Sequence, residues 1–526
     1  MASAAATKAG AQAADSGQRP PNADLAAWLA VAAGTMGAMM ATLDISIVNS
    51  ALPTIQGEIG ASGTEGTWIA TSFLVAEIII VPLCNWFEKL LGLRRFLLIS
   101  AVLFTGFSVL CGVADNLTMM IIGRAGQGLA GGGMMPTAMT IIATRLPRHQ
   151  QPIGTSLFGM TAILGPVVGP VLGGWLTEAF SWHYAFFINV PVCAVLVVLL
   201  LVGLPSQKTK LELLAEADWF GLVGLSVGLG CMTVVLEEGN REQWFSSSLI
   251  VQLTILSALG YILMMIGQFR AKSPIIRLSL LLNRVFASII VMGVVLGMVL
   301  YGTSFVIPQF LAAIADYNAY QAGKIVMLSG FPAMIGMFLA PFLMRHVDIR
   351  VAVIVGMAIL ATSCFIDTTL TAAAVGDDFV DSQLMRGAGT VLAMLFLNQA
   401  AISSVSVQYA GDAAGLFTTA RNLGGSLVLA AISTIQDQRV WFHSRRLEES
   451  LQANSLMVQD RMAEMTHSFG SSEAAFKALG GTIAREALVM TYNDMYWLLG
   501  IGILLVCPLV LLLKPLPKEI RAKAMH

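Results

Sequence analysis

The sequence predicts an all-α polytopic membrane protein in which about fourteen transmembrane helices form two six-helix bundles plus two inserted helices. Three observations predict this fold class: a composition poor in charge, apolar runs of membrane-spanning length, and an internal repeat. Of the 526 residues, 56% are hydrophobic and 12% are charged, whereas an ordinary soluble domain carries roughly 25% charged residues. Lipid is therefore the expected solvent for much of the chain.

Apolar runs long enough to cross the hydrocarbon core recur along the chain. A helix needs about 20 such residues to span a bilayer. The runs lie at roughly 25–48, 66–87, 96–114, 117–140, 152–176, 184–204, 218–236, 249–268, 285–312, 321–343, 350–370, 382–405, 412–435 and 491–513. We expect residues 1–24 to be a disordered cytoplasmic tail and residues 514–526 to be a second cytoplasmic tail.

The charges between these runs predict the orientation of the chain. With both termini in the cytoplasm, the inner loops carry most of the Lys and Arg residues, as the positive-inside rule requires. The short outer loops carry mainly acidic residues, among them Glu237 and Glu238. One predicted inner loop, around Gln408 to Asp412, has no basic residue.

An internal repeat divides the chain into two halves. LFGMTAILG at Leu157–Gly165 aligns with LFTTARNLG at Leu416–Gly424, and RAGQG at Arg124 has a weaker counterpart in RGAG at Arg386. Secondary transporters are often built from such repeats, with the site at their interface. The predicted domains are an N-terminal bundle at 25–204, a linker with two extra helices at 205–284, and a C-terminal bundle at 285–513.

The polar segment 436–490 interrupts the C-terminal bundle and is predicted to be a long periplasmic loop. Long translocated loops escape the charge rule, so its basic residues do not conflict with an outer location. Two interpretations stay open. The segment is either a solvated amphipathic cap or a docking surface for a periplasmic partner.

Asp44 and Arg124 are the first candidates for proton coupling or gating. An ionisable group at the centre of a membrane helix is unfavourable by at least ~2.5 kcal/mol on insertion scales, so such groups are functional candidates. Asp44 lies near the outer end of the first span, and Arg124 lies at a similar depth in the fourth. Protonation of Asp44 would loosen such a pair and favour a conformational change. The alternative is a static ion pair.

Three further ionisable or polar positions are candidates for a central cavity. Glu77 lies near the middle of the second span. Because burial disfavours a charged carboxyl, it suits reversible proton carriage or contact with a cationic substrate; a protonated, hydrogen-bonded Glu is the alternative. Arg421, beside Asn422, either binds an anionic group in the cavity or ties down helix ends. Asp367 and Arg386 are expected to form a wetted structural pair near the outer surface.

The fifth span carries the run GPVVGPVLGG. Small residues four apart let helices approach closely, and prolines kink helices. We expect a hinge or seal between the halves; ordinary close packing is the alternative. The residues concerned are Gly165, Pro166, Gly169, Pro170, Gly173 and Gly174.

The sequence lacks the motifs of several other functional classes. No GxxxxGK[ST] loop is present, so ATP is not the expected energy source. Neither the six cysteines nor the six histidines show metal-ligand spacing. We therefore expect that the protein binds no metal or cofactor and is not an enzyme. The net charge of −1 does not indicate a basic patch for nucleic acid.

Four motifs together resemble the fourteen-helix drug:proton antiporter group (EmrB/QacA type) of the major facilitator superfamily. LDISIVNSALPTI resembles its first-helix motif, GRAGQG its fourth-helix motif, and GPVVGPVLGG its fifth-helix antiporter motif, which is associated with exporters. WHYAFFINVP at Trp182–Pro191 is similar to a further group signature. In the first two motifs the matching residues are Asp44, Asn49, Leu52, Pro53, Arg124, Gln127 and Gly128. The resemblance covers about Leu25 to Leu513 and implies the major facilitator fold.

The loop after the second span departs from the superfamily pattern GxLADRxGRK. Here it reads NWFEKLLGLRR, in which Asn85 replaces the first Gly and Lys89 stands where the Asp belongs. Gly92 and Arg94 are kept. A charge relay through that Asp is therefore not expected, unless Glu88 takes its place.

The resemblance also implies a function and partners. EmrB-like exporters have a similarly altered loop, and they resemble parts of tripartite pumps with a periplasmic adaptor and an outer-membrane channel. We therefore expect proton-coupled efflux of small hydrophobic or amphipathic substrates across the bacterial inner membrane, in contact with membrane lipid. The alternatives are a dedicated exporter of an endogenous metabolite such as a siderophore, fatty acid or lipid precursor, an uptake system, and a membrane sensor or enzyme that uses the same fold.

Overall fold

Helices follow all the predicted spans, and they are numbered α1 to α14 in chain order. The computed structural model describes residues 22–61, 66, 68–147, 149–215, 217–271, 274, 276–406, 409–451 and 454–514. The bounds are α1 Leu25–Ile59, α2 Trp68–Leu91, α3 Leu93–Gly112, α4 Leu117–Gly131 and Met134–Arg145, α5 Gln151–Ala179, α6 Tyr184–Gly203, α7 Trp219–Glu238, α8 Ser248–Arg270, α9 Arg284–Ile314, α10 Ala319–Met327 and Gly330–His346, α11 Ile349–Thr369, α12 Val380–Ser403, α13 Ala410–Ser450 and α14 Ser472–Leu512. Of the predicted tails, residues 1–21 and 515–526 lie outside the described residues.

The outward faces of these helices are apolar. Within the described ranges, ten helices are long and apolar enough to cross a membrane. On α8, for example, Ile255, Leu259 and Ile262 are 57%, 55% and 56% exposed. Water disfavours such surfaces, whereas lipid accepts them and a helix satisfies its backbone groups internally. The predicted all-α polytopic membrane fold is confirmed.

Two apolar cores lie in the two halves of the chain. One is built from α9–α14 and buries large side chains such as Phe310, Phe396 and Tyr496. The other draws mainly on α1, α3, α4 and α6 and includes Phe104 and Met134. The two cores fall on either side of the segment 205–284, which contains the two inserted helices.

The inserted helices α7 and α8 form a tight hairpin. Glycines line the seam between them, and a side chain added at Gly260 would meet the backbone of Gly228. Small residues of this kind let two helix backbones approach closely. Helix α7 also packs against α2 and α13, so the hairpin contacts both halves.

The segment 436–490, predicted to be a loop, is mainly helical where it is described. Helix α13 continues to Ser450, and a separate helix spans Leu456–Phe469. Helix α14 then begins at Ser472. Ser471 caps its N-terminus by accepting a hydrogen bond from the amide of Ala474 at 3.2 Å. The prediction ended α13 with its apolar run, but residues 436–450 contain no glycine or proline. A helix therefore propagates beyond the apolar run.

Candidate functional site

A buried ion pair joins α1 and α4. Arg124 Nη1 lies 2.5 Å from Asp44 Oδ2, and the two side chains are 1% and 0% exposed. Arg124 Nε donates to the carbonyl oxygen of Ile69 on α2 at 3.2 Å. Its guanidinium also lies over the ring of Phe73, 4.3 Å from the centroid. The structure thus brings together the first two predicted site residues.

Three other polar side chains complete the surroundings of Asp44. Gln127 Nε2 and Asn189 Nδ2 donate to Asp44 Oδ1 at 3.1 and 2.7 Å. The same two amides donate to Ser108 Oγ at 3.1 and 2.9 Å. Gln127 and Asn189 belong to motifs that the sequence singles out, but no spacing indicates that they meet Asp44. Ser108 on α3 lies in none of those motifs, so only the fold identifies it.

A small cavity of about 30 Å³ lies between the two halves. Residues of α2, α7, α9 and α13 line it, so both halves and the inserted hairpin contribute. Mainly apolar walls with a few polar groups are typical of small-molecule sites. The lining residues are Leu74, Glu77, Ile78, Glu237, Tyr301, Asn422, Gly425, Ser426 and Leu429.

The three predicted cavity residues lie close together. Glu77 is 5% exposed, and it interacts with the charge of Arg421 and the side chain of Asn422. Arg421 Nη2 donates to Asn422 Oδ1 at 3.2 Å and contacts Met135 Sδ at 3.6 Å. Tyr301 Oη lies 3.5 Å from the same Asn422 oxygen. Glu77 and Asn422 line the cavity itself, and Arg421 lies beside them.

Glu237 is a cavity residue that the sequence interpretation missed. The predicted seventh span ends at residue 236, which places Glu237 in an outer loop. In the structure α7 continues through Glu238, and the side chain of Glu237 lines the cavity. A pair of acidic residues at the end of an apolar run is the sequence signal, but it does not distinguish a loop from a last helical turn.

The glycine-rich motif of α5 packs against α1. Side chains added at three positions four residues apart would collide with small residues of α1, whereas Gly174 has open space around it. The three facing pairs are Gly165 with Thr42, Gly169 with Ser46 and Gly173 with Ser50. Pro170 lies 3.6 Å from the position that a side chain on Gly323 of α10 would occupy. The motif therefore contacts both halves. The side chain of Pro166 is not among those that the structure describes.

A polar cluster joins the halves where α2 ends and α13 begins. Asp412 is 7% exposed and accepts a hydrogen bond from Asn85 Nδ2. Its oxygens lie 3.8 Å from Lys89 Nζ and 3.7 Å from Arg277 Nε. The one predicted inner loop without a basic residue thus supplies a carboxylate for basic residues of other segments.

The other residues of the altered loop motif lie in and beside the turn between α2 and α3, and two of them bond to other parts of the N-terminal half. Glu88 accepts a hydrogen bond from Thr137 Oγ1 of α4 at 2.6 Å, so its hydrogen bond lies within its own half. Gly92 has φ +81°, a conformation that favours glycine because it has no Cβ. Arg94 Nη1 donates to the carbonyl oxygen of Leu204 at 3.2 Å.

Asp367 and Arg386 form the predicted ion pair, but the prediction that water reaches the pair is wrong. Arg386 Nη2 lies 2.6 Å from Asp367 Oδ2, and the side chains are 6% and 0% exposed. Helix α14 packs over the end of α11 and covers the pair. The sequence places both residues near span ends, but it does not show which helix covers them.

Residues 34–429 match the family profile of the Major Facilitator Superfamily. The chain belongs to this superfamily. It is therefore a multi-pass membrane transporter and not an enzyme, as the sequence predicted.

Relatives with established names are similar over almost their whole length. The colistin resistance protein EmrB of Acinetobacter baumannii is 31% identical over 90% of this chain and 94% of the relative. The multidrug export protein EmrB of Escherichia coli K12 is 29% identical over 90% and 92%. The fatty acid resistance protein FarB of Neisseria gonorrhoeae is 27% identical over 93% and 96%. The predicted resemblance to EmrB-type transporters is confirmed.

Solved structures share the superfamily fold. The human organic anion transporter MFSD10 has a TM-score of 0.56 at 12% identity, over 92% of this chain and 100% of that one. The proton:xylose symporter XylE has a TM-score of 0.55 at 15% identity, over 90% and 94%. At such identities the likeness concerns the fold alone.

Proposed function

We propose that the protein is a proton antiporter that exports hydrophobic or amphipathic compounds across the bacterial inner membrane by alternating access. The observation that carries this proposal is the fully buried pair of Asp44 and Arg124. Charges inside a membrane protein are unfavourable and mark functional sites by default. When Asp44 binds a proton, Arg124 is left as an uncompensated buried charge. The surrounding helices must then rearrange.

One face of α2 connects this pair to the cavity. Arg124 contacts Ile69 and Phe73, and Glu77 follows on the next turn of the same face, because residues four apart in a helix are neighbours. Glycines of α4 allow close contact here, since a side chain at Gly128 would meet the backbone of Phe73 and Glu77. A displacement of Arg124 is therefore transmitted along α2 to Glu77, which is our second candidate for proton carriage.

The contacts between the halves support alternating access. The cluster around Asp412 holds the halves together at one end, and α5 packs along α10. We propose that the α5 motif acts as the hinge or seal and that both termini are cytoplasmic. The names of the EmrB relatives support export. By the same likeness we propose a periplasmic adaptor and an outer-membrane channel as partners, with the helical segment 436–490 as the docking surface.

A second candidate is export of an endogenous anionic amphiphile such as a fatty acid. The name of the Neisseria gonorrhoeae relative and the position of Arg421 beside the cavity favour it. Arg421→Gln separates the two candidates. It would abolish transport of a fatty acid and leave transport of a neutral or cationic dye.

Dye efflux from cells that lack their own pumps tests the main proposal. Wild type is compared with Asp44→Asn, with and without a protonophore, at matched expression. We expect efflux that stops with the protonophore and is lost in Asp44→Asn, because Asn cannot bind and release a proton. Efflux that ignores the protonophore would contradict antiport. Normal efflux in Asp44→Asn would move the coupling role to Glu77.

A further inference from the structure

The inserted hairpin contributes a carboxyl to the cavity that neither six-helix bundle provides. Helix α7 packs against α2 on one side and α13 on the other. Its last turn carries two adjacent acidic residues, Glu237 and Glu238. Adjacent residues project about 100° apart around a helix, so the two carboxyls meet different surroundings.

Glu238 is fully committed to structural contacts. It is 3% exposed, and Thr71 Oγ1 of α2 donates to its Oε1 at 3.2 Å. Arg241 Nη1 lies 2.8 Å from its Oε2. This carboxylate attaches the end of α7 to α2, and its charge is balanced by a neighbouring residue.

Glu237 faces the cavity and forms no ion pair with a described residue. Its Oε1 is buried without a hydrogen-bond partner among the described residues. Ser426 of α13 interacts with the carboxyl, and among the described residues the charge of Glu238 also acts on it. Glu77, by contrast, has Arg421 and Asn422 beside it. A buried carboxylate oxygen without a donor is unfavourable, so a ligand that donates a hydrogen bond or carries a positive charge would stabilise it.

The rest of the cavity suits the apolar part of such a ligand. Leu74, Ile78 and Leu429 form apolar walls, and the ring of Tyr301 is available to a cation. In this conformation the cavity holds only about 30 Å³, room for roughly one or two water molecules, so a substrate enters it only when the surrounding helices separate.

We propose that Glu237 is a specificity residue of this transporter and binds the positive charge of a cationic amphipathic substrate in the cavity. This assignment rests on the proposed function, since it assumes that exported compounds pass through the cavity. The inserted helices then do more than separate the two bundles. They determine which charge the cavity accepts.

Binding of two dyes to the purified full-length protein tests the assignment. Ethidium carries a positive charge and Nile red is neutral. Fluorescence titrations compare wild type with Glu237→Gln, and Glu238→Gln is the matched control on the same helical turn. We expect Glu237→Gln to weaken ethidium binding about tenfold, as loss of one hydrogen bond to a charged group implies. Nile red binding should stay unchanged, and Glu238→Gln should weaken ethidium binding far less than Glu237→Gln, because Arg241 already balances the charge of Glu238.

Two results would overturn the assignment. One is equal weakening of both dyes by Glu237→Gln, which would mean that Glu237 only supports the fold. The other is ethidium binding that is the same in wild type and Glu237→Gln. If Glu237→Gln does not fold, Glu237→Asp keeps the charge and shortens the side chain. It should bind ethidium more weakly than wild type and Nile red equally well, and any other pattern counts against the assignment.

Transport in proteoliposomes separates this assignment from the proposed function. Ethidium that binds to wild type but is not moved by a proton gradient would contradict antiport and leave the role of Glu237 intact. If wild type transports Nile red with a proton gradient but binds ethidium only weakly, the result would support antiport and contradict the role of Glu237.

Discussion

The surroundings of Asp44 supply partners for both oxygens of a carboxyl buried inside a membrane protein. Arg124 balances its charge, and Gln127 and Asn189 donate to its second oxygen. The same arrangement would suit a static ion pair and a proton-responsive one. A static pair and a proton-responsive pair differ in whether transport survives when both charges are removed.

A double variant distinguishes them. Arg124→Gln alone should destabilise the protein by about 3–5 kcal/mol, because Asp44 is left as an unpaired buried charge. Asp44→Asn combined with Arg124→Gln should restore most of that stability but not proton-driven transport. Thermal unfolding in detergent measures the first effect, and dye transport after a pH jump measures the second. Full transport by the double variant would show that the pair is static.

At the scale of elements, the contact between α1 and α5 depends on glycines, which have no side chain to separate the two helices. The glycines of α5 lie directly against α1, so that small residues of the two helices interlock. The linkage is reinforced by a hydrogen bond from Thr42 Oγ1 to the carbonyl oxygen of Thr161 at 3.3 Å. Any relative motion of α1 and α5 changes this contact.

Gly169→Ala tests this contact, with Gly174→Ala as its control. A methyl group on Gly169 would collide with Cβ of Ser46, whereas Gly174 has nothing within 4 Å. We expect Gly169→Ala to destabilise the protein by about 1–3 kcal/mol, the usual effect of overpacking, and to reduce transport. Gly174→Ala should leave the unfolding temperature and transport unchanged. Equal effects of the two substitutions would argue against a specific role for the α1–α5 contact.

For the whole molecule, a cluster of polar contacts around Asp412 joins the two halves where α2 ends and α13 begins. Asp412 contacts Asn85 and Lys89 of the N-terminal half and Arg277 of the linker. Its cationic partners are partly exposed, with side chains 48% and 33% accessible. Solvent therefore screens these contacts, and together they contribute about 1 kcal/mol.

Asp412→Asn should shift the protein toward the state in which this end is open. A free-energy change of about 1 kcal/mol corresponds to a roughly fivefold change in population. The readout is the labelling rate of Ala414→Cys, a buried position on α13, by a hydrophilic maleimide in nanodiscs, with the native cysteines replaced. Asp24→Asn is the control, because Asp24 caps α1 by accepting a hydrogen bond from the amide of Ala27. Faster labelling in both variants, or in neither, would contradict a locking role for Asp412.

Much of the fold and part of the site could be predicted from the sequence. A run of apolar residues determines a membrane helix by its own length, and a charged residue within such a run is conspicuous. The helices and the candidates Asp44, Arg124 and Glu77 were therefore predictable from local patterns. The end of α13 was not, because an apolar run indicates where lipid ends and not where a helix ends.

The sequence by itself predicted the apolar spans that form helices, an internal repeat, and charged candidates within those spans such as Asp44 and Glu77. Only the tertiary structure decided which of those charges meet. Asn85 and Asp412 are 327 residues apart in the chain, and Glu237 reaches the cavity only because α7 packs between α2 and α13. The physical reason is that insertion into lipid depends on local hydrophobicity, whereas the meeting of two side chains depends on how each helix is rotated and packed against the others.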